Sequence, residues 1–253
     1  MSLKAKEIIK LLLAEDLLED HTVCLYQDGL TAEDRNIIRS DSILASRIFG
    51  ITFNHEIKHK YYFWDNTTVS MKSALLHCIK PGMRVLEIGT GPSATLSRFV
   101  ANNTSNVEIV AVDINENFLH TAKSYLNSSN CAISFLQSNL MENVTGFFDV
   151  VFMNPPYATS VDLLKIGAKE NSTEFSSGYG GITGGEITKM FVNSLNLVLQ
   201  RNGIAILGIN TKYLPDKAIT DIILNSSDVK IISRHYSDWQ VPPFSQVYLL
   251  NRL

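Results

Sequence analysis

The feature that most constrains the fold of this chain is the alternation, from Pro81 onward, of short apolar segments with amphipathic ones. Short strands that alternate with helices are typical of a parallel sheet with helices on both faces. The sequence therefore predicts an α/β fold built on a doubly wound, mostly parallel sheet. We expect seven strands, at 83–88, 107–112, 132–136, 147–153, 203–209, 228–234 and 246–251, and helices at 93–102, 115–127, 185–200 and 215–225.

Two connections in this pattern are unusual. Only the loop from Ser237 to Pro243 separates the last two strands, so we expect them to form an antiparallel hairpin at the edge of the sheet. The stretch from Ala158 to Gly184 is rich in Gly, Ser and Thr and is too long for an ordinary connection. Such stretches are usually functional lids or disordered segments, so we predict a long loop here.

The chain before the sheet has a mostly helical pattern. We predict a small helical extension at 1–66 and the main domain at 67–253. The extension is expected to help select the molecule on which the main domain acts. Apolar residues recur at helical spacing in 6–19, and Thr31 is expected to cap a helix that runs toward Phe49.

The join between the two parts contains an aromatic run and a helix start. The run Tyr61-Tyr62-Phe63-Trp64 is β-prone, and we expect Trp64 to belong to the core. The pair Thr67-Thr68 is expected to cap a helix that ends near Ile79.

Composition argues against several classes of protein. The formal net charge of −3 gives no global positive field that would attract nucleic acid or an anionic membrane. The local cluster Lys58-His59-Lys60 is interpreted as a solvated face. No run of 18 or more apolar residues occurs, so no membrane-spanning helix is expected.

The cysteines and histidines favour a protein without metal or disulfides. Cys24, Cys78 and Cys131 are odd in number and widely spaced, which fits neither a disulfide framework nor a zinc site with paired ligands. The histidines show no ligand spacing with cysteine or acidic residues. We therefore expect no metal site and a reducing, cytoplasmic location. The sequence predicts no particular oligomeric state.

The turn after the first predicted strand reads Glu87-Ile88-Gly89-Thr90-Gly91, in which the glycines let the backbone approach a ligand closely. The second predicted strand is followed by Asp113, 22 residues after Gly91 (113 − 91), which suits a carboxylate that binds a ribose diol. This pair is typical of a Rossmann-like nucleotide-binding domain. It does not distinguish hydride transfer from methyl transfer.

Polar side chains also follow the third and fourth predicted strands. Ser138-Asn139-Leu140 follows the third strand and offers a side chain that can hydrogen-bond with an adenine edge. Asn154-Pro155-Pro156-Tyr157 follows the fourth strand. Because open parallel sheets bind ligands outside the carboxyl ends of their strands, we predict that these side chains share one crevice with Glu87 and Asp113.

The Asn154–Tyr157 run has a chemical rationale. Its two prolines hold the backbone extended and remove two donors, which leaves carbonyl oxygens and the Asn154 amide oxygen as acceptors. Such a site accepts hydrogen bonds from a planar NH₂ group, draws the nitrogen out of conjugation and readies its lone pair for a methyl sulfonium. Tyr157 offers a flat face for stacking. No strong base is required, because the nitrogen becomes acidic only after it is methylated.

On these motifs, residues 81–210 resemble the class I methyltransferases that modify exocyclic or amide nitrogens, which carry Glu-x-Gly-x-Gly and Asn-Pro-Pro-Tyr. Gly184-Gly185 before a helix, after a long loop and with a helical N-terminal extension, is similar to the release-factor glutamine methyltransferases. This resemblance implies N5 methylation of a glutamine in a peptide-chain release factor, with S-adenosylmethionine as cofactor. It implies Asn154, Pro155, Pro156 and Tyr157 as the acceptor site, and Glu87, Gly89, Thr90, Gly91, Asp113, Ile114, Asn139, Leu140 and Asn154 as the cofactor site.

The sequence departs from that family at three places. Ser93 replaces a glycine, and Asn139 stands where an aspartate is usual; both are mild changes in the contacts to the cofactor. The segment Asp65-Asn66-Thr67-Thr68 replaces a segment that contains proline and arginine. This third change lies on the substrate side and leaves the glutamine assignment open.

Three alternatives stay open. Enzymes that methylate the adenine amine of RNA or DNA use the same tetrapeptide, so nucleic acid is the second candidate acceptor. A basic surface beside the crevice would favour nucleic acid, and a neutral or acidic one would favour protein. The other hypotheses are a catalytically silent binding module and a nicotinamide oxidoreductase. For the oxidoreductase, the sequence offers no recognisable acid or base for hydride transfer.

Overall fold

The fold is described from a computed structural model, which covers residues 3–15, 19–25, 30–53, 62–126, 133–170, 172–226, 228–236 and 244–253. Some sequence features discussed above lie outside these described residues, namely Lys58-His59-Lys60, Tyr61, Cys131 and the loop from Ser237 to Pro243. In the described parts of the chain, no helix has the length and apolar character needed to cross a membrane.

The centre of the described structure is one seven-stranded sheet. Its strands are β1 (Arg84–Ile88), β2 (Glu108–Asp113), β3 (Ile133–Gln137), β4 (Phe148–Met153), β5 (Leu199–Asn210), β6 (Val229–Tyr236) and β7 (Ser245–Arg252). They lie in the order β3-β2-β1-β4-β5-β7-β6, and neighbours are parallel except that β7 is antiparallel to both β5 and β6. The predicted Rossmann-like sheet and its antiparallel C-terminal hairpin are confirmed.

Helices precede the sheet and connect its strands. In chain order they are α1 (Leu3–Ala14), α2 (Asp20–Leu25), α3 (Ala32–Arg39), α4 (Ser42–Phe49), α5 (Asn66–Cys78), α6 (Thr95–Asn103), α7 (Glu116–Ser124), α8 (Ser160–Lys165), α9 (Thr173–Gly178), α10 (Glu186–Val198) and α11 (Asp216–Leu224). The four helices predicted between strands are confirmed in α6, α7, α10 and α11. Their ends differ from the prediction by up to three residues.

Two predictions about the N-terminal helices are wrong in detail. Thr31 does cap a helix, but α3 ends at Arg39, and α4 begins anew because Asp41 accepts a hydrogen bond from the Leu44 N–H at 2.8 Å. The Thr67-Thr68 pair is not the cap of α5. That cap is Asp65, since its carboxylate accepts from the Thr68 N–H at 2.7 Å, and an aspartate in this position caps better than a threonine.

Two further predictions concern segments without expected helices. The described part of the aromatic run, 62–64, forms no strand, although Trp64 is buried as expected. The stretch from Ala158 to Gly184 is not one long irregular loop, because α8 and α9 form within it. Short capping interactions explain both helices: Thr159 caps α8 and Ser172 caps α9.

The sheet is covered on both faces, as its apolar strands require. On one face, buried side chains of the N-terminal helices, α5 and α6 pack in one hydrophobic cluster with β1, β4 and β5. On the other face, α10 and α11 pack against the sheet. The division of the chain near residue 66 stays a prediction, and the shared cluster shows that both parts contribute to one core.

Helix α5 lies directly against β5 because of a glycine. A Cβ atom at Gly208 would collide with the Met71 sulfur and would come within 2.8 Å of the Thr67 methyl group. The missing side chain therefore lets the first turns of α5 approach the sheet. This approach brings Asp65, the cap of α5, beside the carboxyl end of β4, where it contacts Asn154 and Tyr157.

Candidate active site

The carboxyl ends of β1, β2 and β4 lie level with one another. Ile88, the last residue of β1, pairs with Val112 on one side and with Met153 on the other. The residues that follow each strand therefore lie side by side. This register places Gly89 beside Asp113 and Asn154, as the predicted shared crevice requires.

The turn after β1 adopts a conformation that glycine favours. Gly89 and Gly91 have φ values of 71° and 68°, in the left-handed region. The N–H groups of Gly89 and Thr90 donate to the Val112 carbonyl at 2.8 and 2.9 Å, which fixes the turn against β2. A Cβ atom at Gly91 would meet nothing within 4 Å, so the backbone there borders open space.

Glu87 is buried beneath this turn and holds it to α6. One oxygen of its carboxylate, Oε2, accepts from the Thr90 hydroxyl at 2.7 Å, from the Ser97 N–H at 3.2 Å and from the Ser97 hydroxyl. Burial raises the pKa of Glu87 to about 7, and the hydrogen bonds from Ser97 and Thr90 oppose that rise. Glu87 therefore organises the turn from within.

Asp113 holds the same turn from the β2 side. Its Oδ2 accepts from the Gly91 N–H and its Oδ1 from the Asn115 N–H, both at 2.9 Å. Burial raises the pKa of Asp113, and these backbone hydrogen bonds oppose the rise. The Ile114 N–H is a third backbone donor to this carboxylate, which leaves acceptor capacity for one ligand hydroxyl. The next residue, Ile114, exposes 65% of its surface and offers an apolar face beside the carboxylate.

The turn after β3 is held by its own side chains. Asn139 is half-buried, and its amide N–H donates to the Glu142 carboxylate at 2.7 Å. Leu140 has a φ of 48°, and the buried Ser138 donates its hydroxyl to the Leu140 carbonyl at 2.8 Å. The Ser138 N–H donates to the Asp113 carbonyl at 3.1 Å, which ties this turn to β2.

Asn154, directly after β4, has an amide that is satisfied at one end. Its Nδ2 donates to Asp65 Oδ1 at 3.3 Å and to Thr68 Oγ1 at 3.4 Å. Its Oδ1 is buried and has no hydrogen-bond partner among the described residues. An unsatisfied buried acceptor is costly, so this oxygen is a candidate binding group for an N–H donor of a ligand.

Tyr157 is fixed at its hydroxyl and on one ring face. The hydroxyl donates to Asp65 Oδ2 at 3.3 Å and lies 3.2 Å from the Thr67 hydroxyl. Its ring stacks on that of Tyr213, with centroids 6.2 Å apart and planes at 16°. Burial, followed by the nearby charge of Asp65, raises the pKa of Tyr157 well above its usual value. Tyr157 is therefore a neutral hydrogen-bond donor in this site.

The Asn154–Tyr157 segment is supported from behind by a glycine-rich turn. A Cβ atom at Gly180 would lie 2.7 Å from both the Pro156 carbonyl oxygen and the Tyr157 Cα atom. A Cβ atom at Gly184 would lie 2.5 Å from the Tyr157 carbonyl oxygen. Ala158 and Tyr179 also form a parallel bridge. The glycines of this turn thus permit backbone-to-backbone packing behind the motif.

Sequence reasoning missed several residues of this site. Asp65 was singled out only as part of a departure from a family pattern, and Thr68 also as a helix cap, yet both contact Asn154. Aspartate is a preferred N-cap residue, and Asp65 lies directly before the predicted helix, which was the available clue. No sequence signal marked Tyr213 as the stacking partner of Tyr157. The roles of all predicted site residues stay predictions.

The chain is similar in sequence to several methyltransferases. Residues 65–169 match the family model of the methyltransferase small domain. A protein of Methanocaldococcus jannaschii, provisionally named protein N5-glutamine methyltransferase, is 38% identical over 120 residues, which are 47% of this chain and 58% of that protein. The release factor glutamine methyltransferase of Haemophilus influenzae is 32% identical over 89 residues, which are 32% of this chain and 30% of that protein. The matched regions thus span between 30% and 58% of these relatives.

A solved structure shows the same fold. The crystal structure of a methyltransferase from Pyrococcus furiosus superposes with a TM-score of 0.60 and 20% sequence identity, and it covers 88% of this chain and 98% of that one.

Proposed function

We propose that this protein transfers a methyl group from S-adenosylmethionine to the NH₂ nitrogen of an amide side chain in a protein. The match of residues 65–169 to the methyltransferase small domain supports this proposal. The observation that carries this proposal is the Asn154 amide oxygen, which is buried, lacks a partner among the described residues and follows β4 beside the glycine turn of β1.

The residues of the β1–β2 side fit a nucleoside with a charged tail. Open space borders Gly91, the Asp113 carboxylate can accept one further hydrogen bond, and Ile114 exposes an apolar side chain. In the proposal, Asp113 accepts a hydrogen bond from the ribose, and Ile114 and Leu140 contact the adenine. The glycine turn leaves room for the remainder of S-adenosylmethionine. S-adenosylmethionine supplies an electrophilic methyl group when it is bound.

Asn154 binds and orients the acceptor in this proposal. Leaving its amide oxygen unpaired costs about 1–3 kcal/mol, and an acceptor NH₂ group recovers that free energy on binding. Neither Pro155 nor Pro156 adds an N–H group that would compete with the acceptor for this oxygen. Since the site needs only acceptors, it orients the nitrogen and requires no titrating base.

Charge beside the site favours a protein acceptor over nucleic acid. The segment 158–186, which follows the motif, carries two lysines and four acidic residues. Its described side chains also expose apolar surface, at Val161, Leu164 and Ile182. A nucleic-acid site would instead need clustered positive charge. The names of the two relatives support glutamine, and we propose a glutamine of a peptide-chain release factor as the acceptor.

The proposal is tested by transfer of label from S-adenosylmethionine into cell extract, divided by protease and by nuclease treatment before counting. We expect protease-sensitive label on a protein of release-factor size. Label that only nuclease removes would move the acceptor to adenine. The matched control is Asn154→Ala, which is expected to abolish transfer while the Kd for S-adenosylhomocysteine changes less than about threefold. Wild-type protein that neither binds that ligand nor incorporates label would leave the silent binding module as the better hypothesis.

A further inference from the structure

We infer that Asp65 is a positioning residue, which sets the orientation of the Asn154 amide and so decides that the site presents an oxygen to its acceptor. This inference rests on the proposed function. An asparagine amide has a donor end and an acceptor end of nearly the same shape, and a half-turn about its last bond exchanges them. A site that binds an NH₂ group works in only one of these two orientations.

Both partners of Asn154 Nδ2 accept hydrogen bonds, and neither has a proton available to donate to Asn154. Asp65 Oδ1 is a carboxylate oxygen. The Thr68 hydroxyl has a single proton, which it donates to the same Asp65 oxygen at 2.7 Å, so it too can only accept from Asn154. Rotating the amide would place Asn154 Oδ1 against two acceptors. The pair therefore fixes the amide with its nitrogen inward and its oxygen free.

The same carboxylate also holds the other end of the motif. Asp65 Oδ2 accepts from the Tyr157 hydroxyl at 3.3 Å, while Oδ1 receives the Thr68 N–H, the Thr68 hydroxyl and Asn154 Nδ2. With three donors on Oδ1, no lone pair remains there for proton transfer. Asp65 therefore acts through Asn154 and Tyr157, and the geometry does not assign it the role of a base.

The fold explains how Asp65 orients Asn154, although the two residues are 89 positions apart in the chain. Asp65 caps α5, and α5 is drawn onto β5 at Gly208. The capping box makes the carboxylate rigid, because it is bound to both the N–H and the hydroxyl of Thr68. The first turn of α5 thus serves as a fixed reference against which the end of β4 is aligned.

The test compares Asp65→Ser with Asp41→Ser. Serine is a good N-cap but is too short to reach Asn154, and Asp41 caps α4 in the same way through the Leu44 N–H. We expect Asp65→Ser to lower kcat for methyl transfer roughly 10- to 100-fold, in line with misplacement of a binding group. Asp41→Ser should leave kcat unchanged, and both variants should bind S-adenosylhomocysteine as the wild type does.

A second readout needs no activity. The side-chain ¹⁵N–¹H signals of Asn154, identified by their absence in Asn154→Ala, should be slowed in hydrogen exchange in the wild-type protein and in Asp41→Ser. They should lose that protection in Asp65→Ser. If Asp65→Ser melts at a lower temperature than Asp41→Ser by more than a few degrees, Thr68→Val takes its place, with Thr68→Ser as the hydroxyl-retaining control.

The outcomes separate this inference from the proposed function. If Asn154→Ala abolishes transfer but Asp65→Ser keeps both kcat and the protected amide signals, Asp65 is only a helix cap and the inference is wrong. If Asn154→Ala itself transfers methyl groups at the wild-type rate, the proposed function is wrong.

Discussion

The two halves of the candidate site are built by different means. On the β1–β3 side, each functional side chain is held by residues close in sequence: Glu87 by Thr90 and Ser97, and Asp113 by Gly91, which is 22 residues away. On the β4 side, Asn154 and Tyr157 are held by Asp65, which is 89 and 92 residues away. The first half is assembled within neighbouring strand–helix units, and the second depends on how α5 docks.

The halves also differ in how completely their polar groups are satisfied. The described carboxylates on the β1–β2 side accept several hydrogen bonds each. The β4 side instead keeps one buried acceptor, Asn154 Oδ1, without a partner among the described residues. This contrast teaches that internal hydrogen bonds fix the conformation of the β1–β2 side. The β4 side instead gains a hydrogen bond when the acceptor binds.

The largest effect is expected from moving the backbone of the β4 half alone. Gly180→Ala places a methyl group 2.7 Å from the Pro156 carbonyl oxygen and should displace the motif. We expect kcat to fall about 100-fold, with little change in cofactor affinity. The control is Ser177→Ala, at an exposed position of α9 in the same segment. Steady-state kinetics and calorimetry distinguish the two; equal loss in both variants would contradict the supporting role of Gly180.

The next largest effect concerns the buried carboxylate of the β1 half. The pKa of Glu87 is raised to about 7 in the folded protein, so the folded state binds this proton more tightly than the unfolded state. Stability of the wild type should therefore fall, relative to Glu87→Gln, as the pH rises from about 4.5 to 7. We expect a relative loss of roughly 2 kcal/mol between pH 5 and 8, measured by denaturant unfolding. A difference that does not change with pH would show that Glu87 is not held protonated by burial.

A smaller effect should show that the cofactor is bound by the β1–β3 side of the site. Asp113→Asn removes the charge that faces the proposed ribose site but keeps an oxygen for the Gly91 N–H. The Kd for S-adenosylhomocysteine should rise about tenfold, as expected for one charge-assisted interaction. Glu108→Gln, at the other end of β2, is the matched control and should bind normally. Unchanged affinity in Asp113→Asn would remove Asp113 from the proposed cofactor site.

The smallest effect probes the β3 turn. Asn139→Asp restores the residue usual in the resembling family but sets a carboxylate against Glu142, which now accepts from the Asn139 amide at 2.7 Å. We expect a loss of about 0.5 kcal/mol in the free energy of unfolding. The double variant with Glu142→Gln should regain it. Additive behaviour of the two substitutions would contradict their coupling.

The same comparison explains what could be predicted from the sequence. The strands and connecting helices were predicted because apolar periodicity is local, and the β1 turn was predicted because its glycines and carboxylates are close in the chain. Asp65 was not assigned to the site, since nothing local shows that the start of α5 meets the end of β4. The helices α8 and α9 were missed because their polar composition resembles a loop, and the caps Thr159 and Ser172 were not weighed.

The strand order has a consequence for how the protein is made. β7 is the last strand in chain order, yet it lies between β5 and β6 in the sheet. During synthesis, one edge of β5 therefore stays unpaired until Ser245–Arg252 has left the ribosome. Until then β6 also lacks the strand with which it pairs in the sheet. The nascent chain must pass through a stage in which the nucleotide-binding strands are complete but β5 still presents an unpaired edge. That interval is when chaperones would be most useful to this protein.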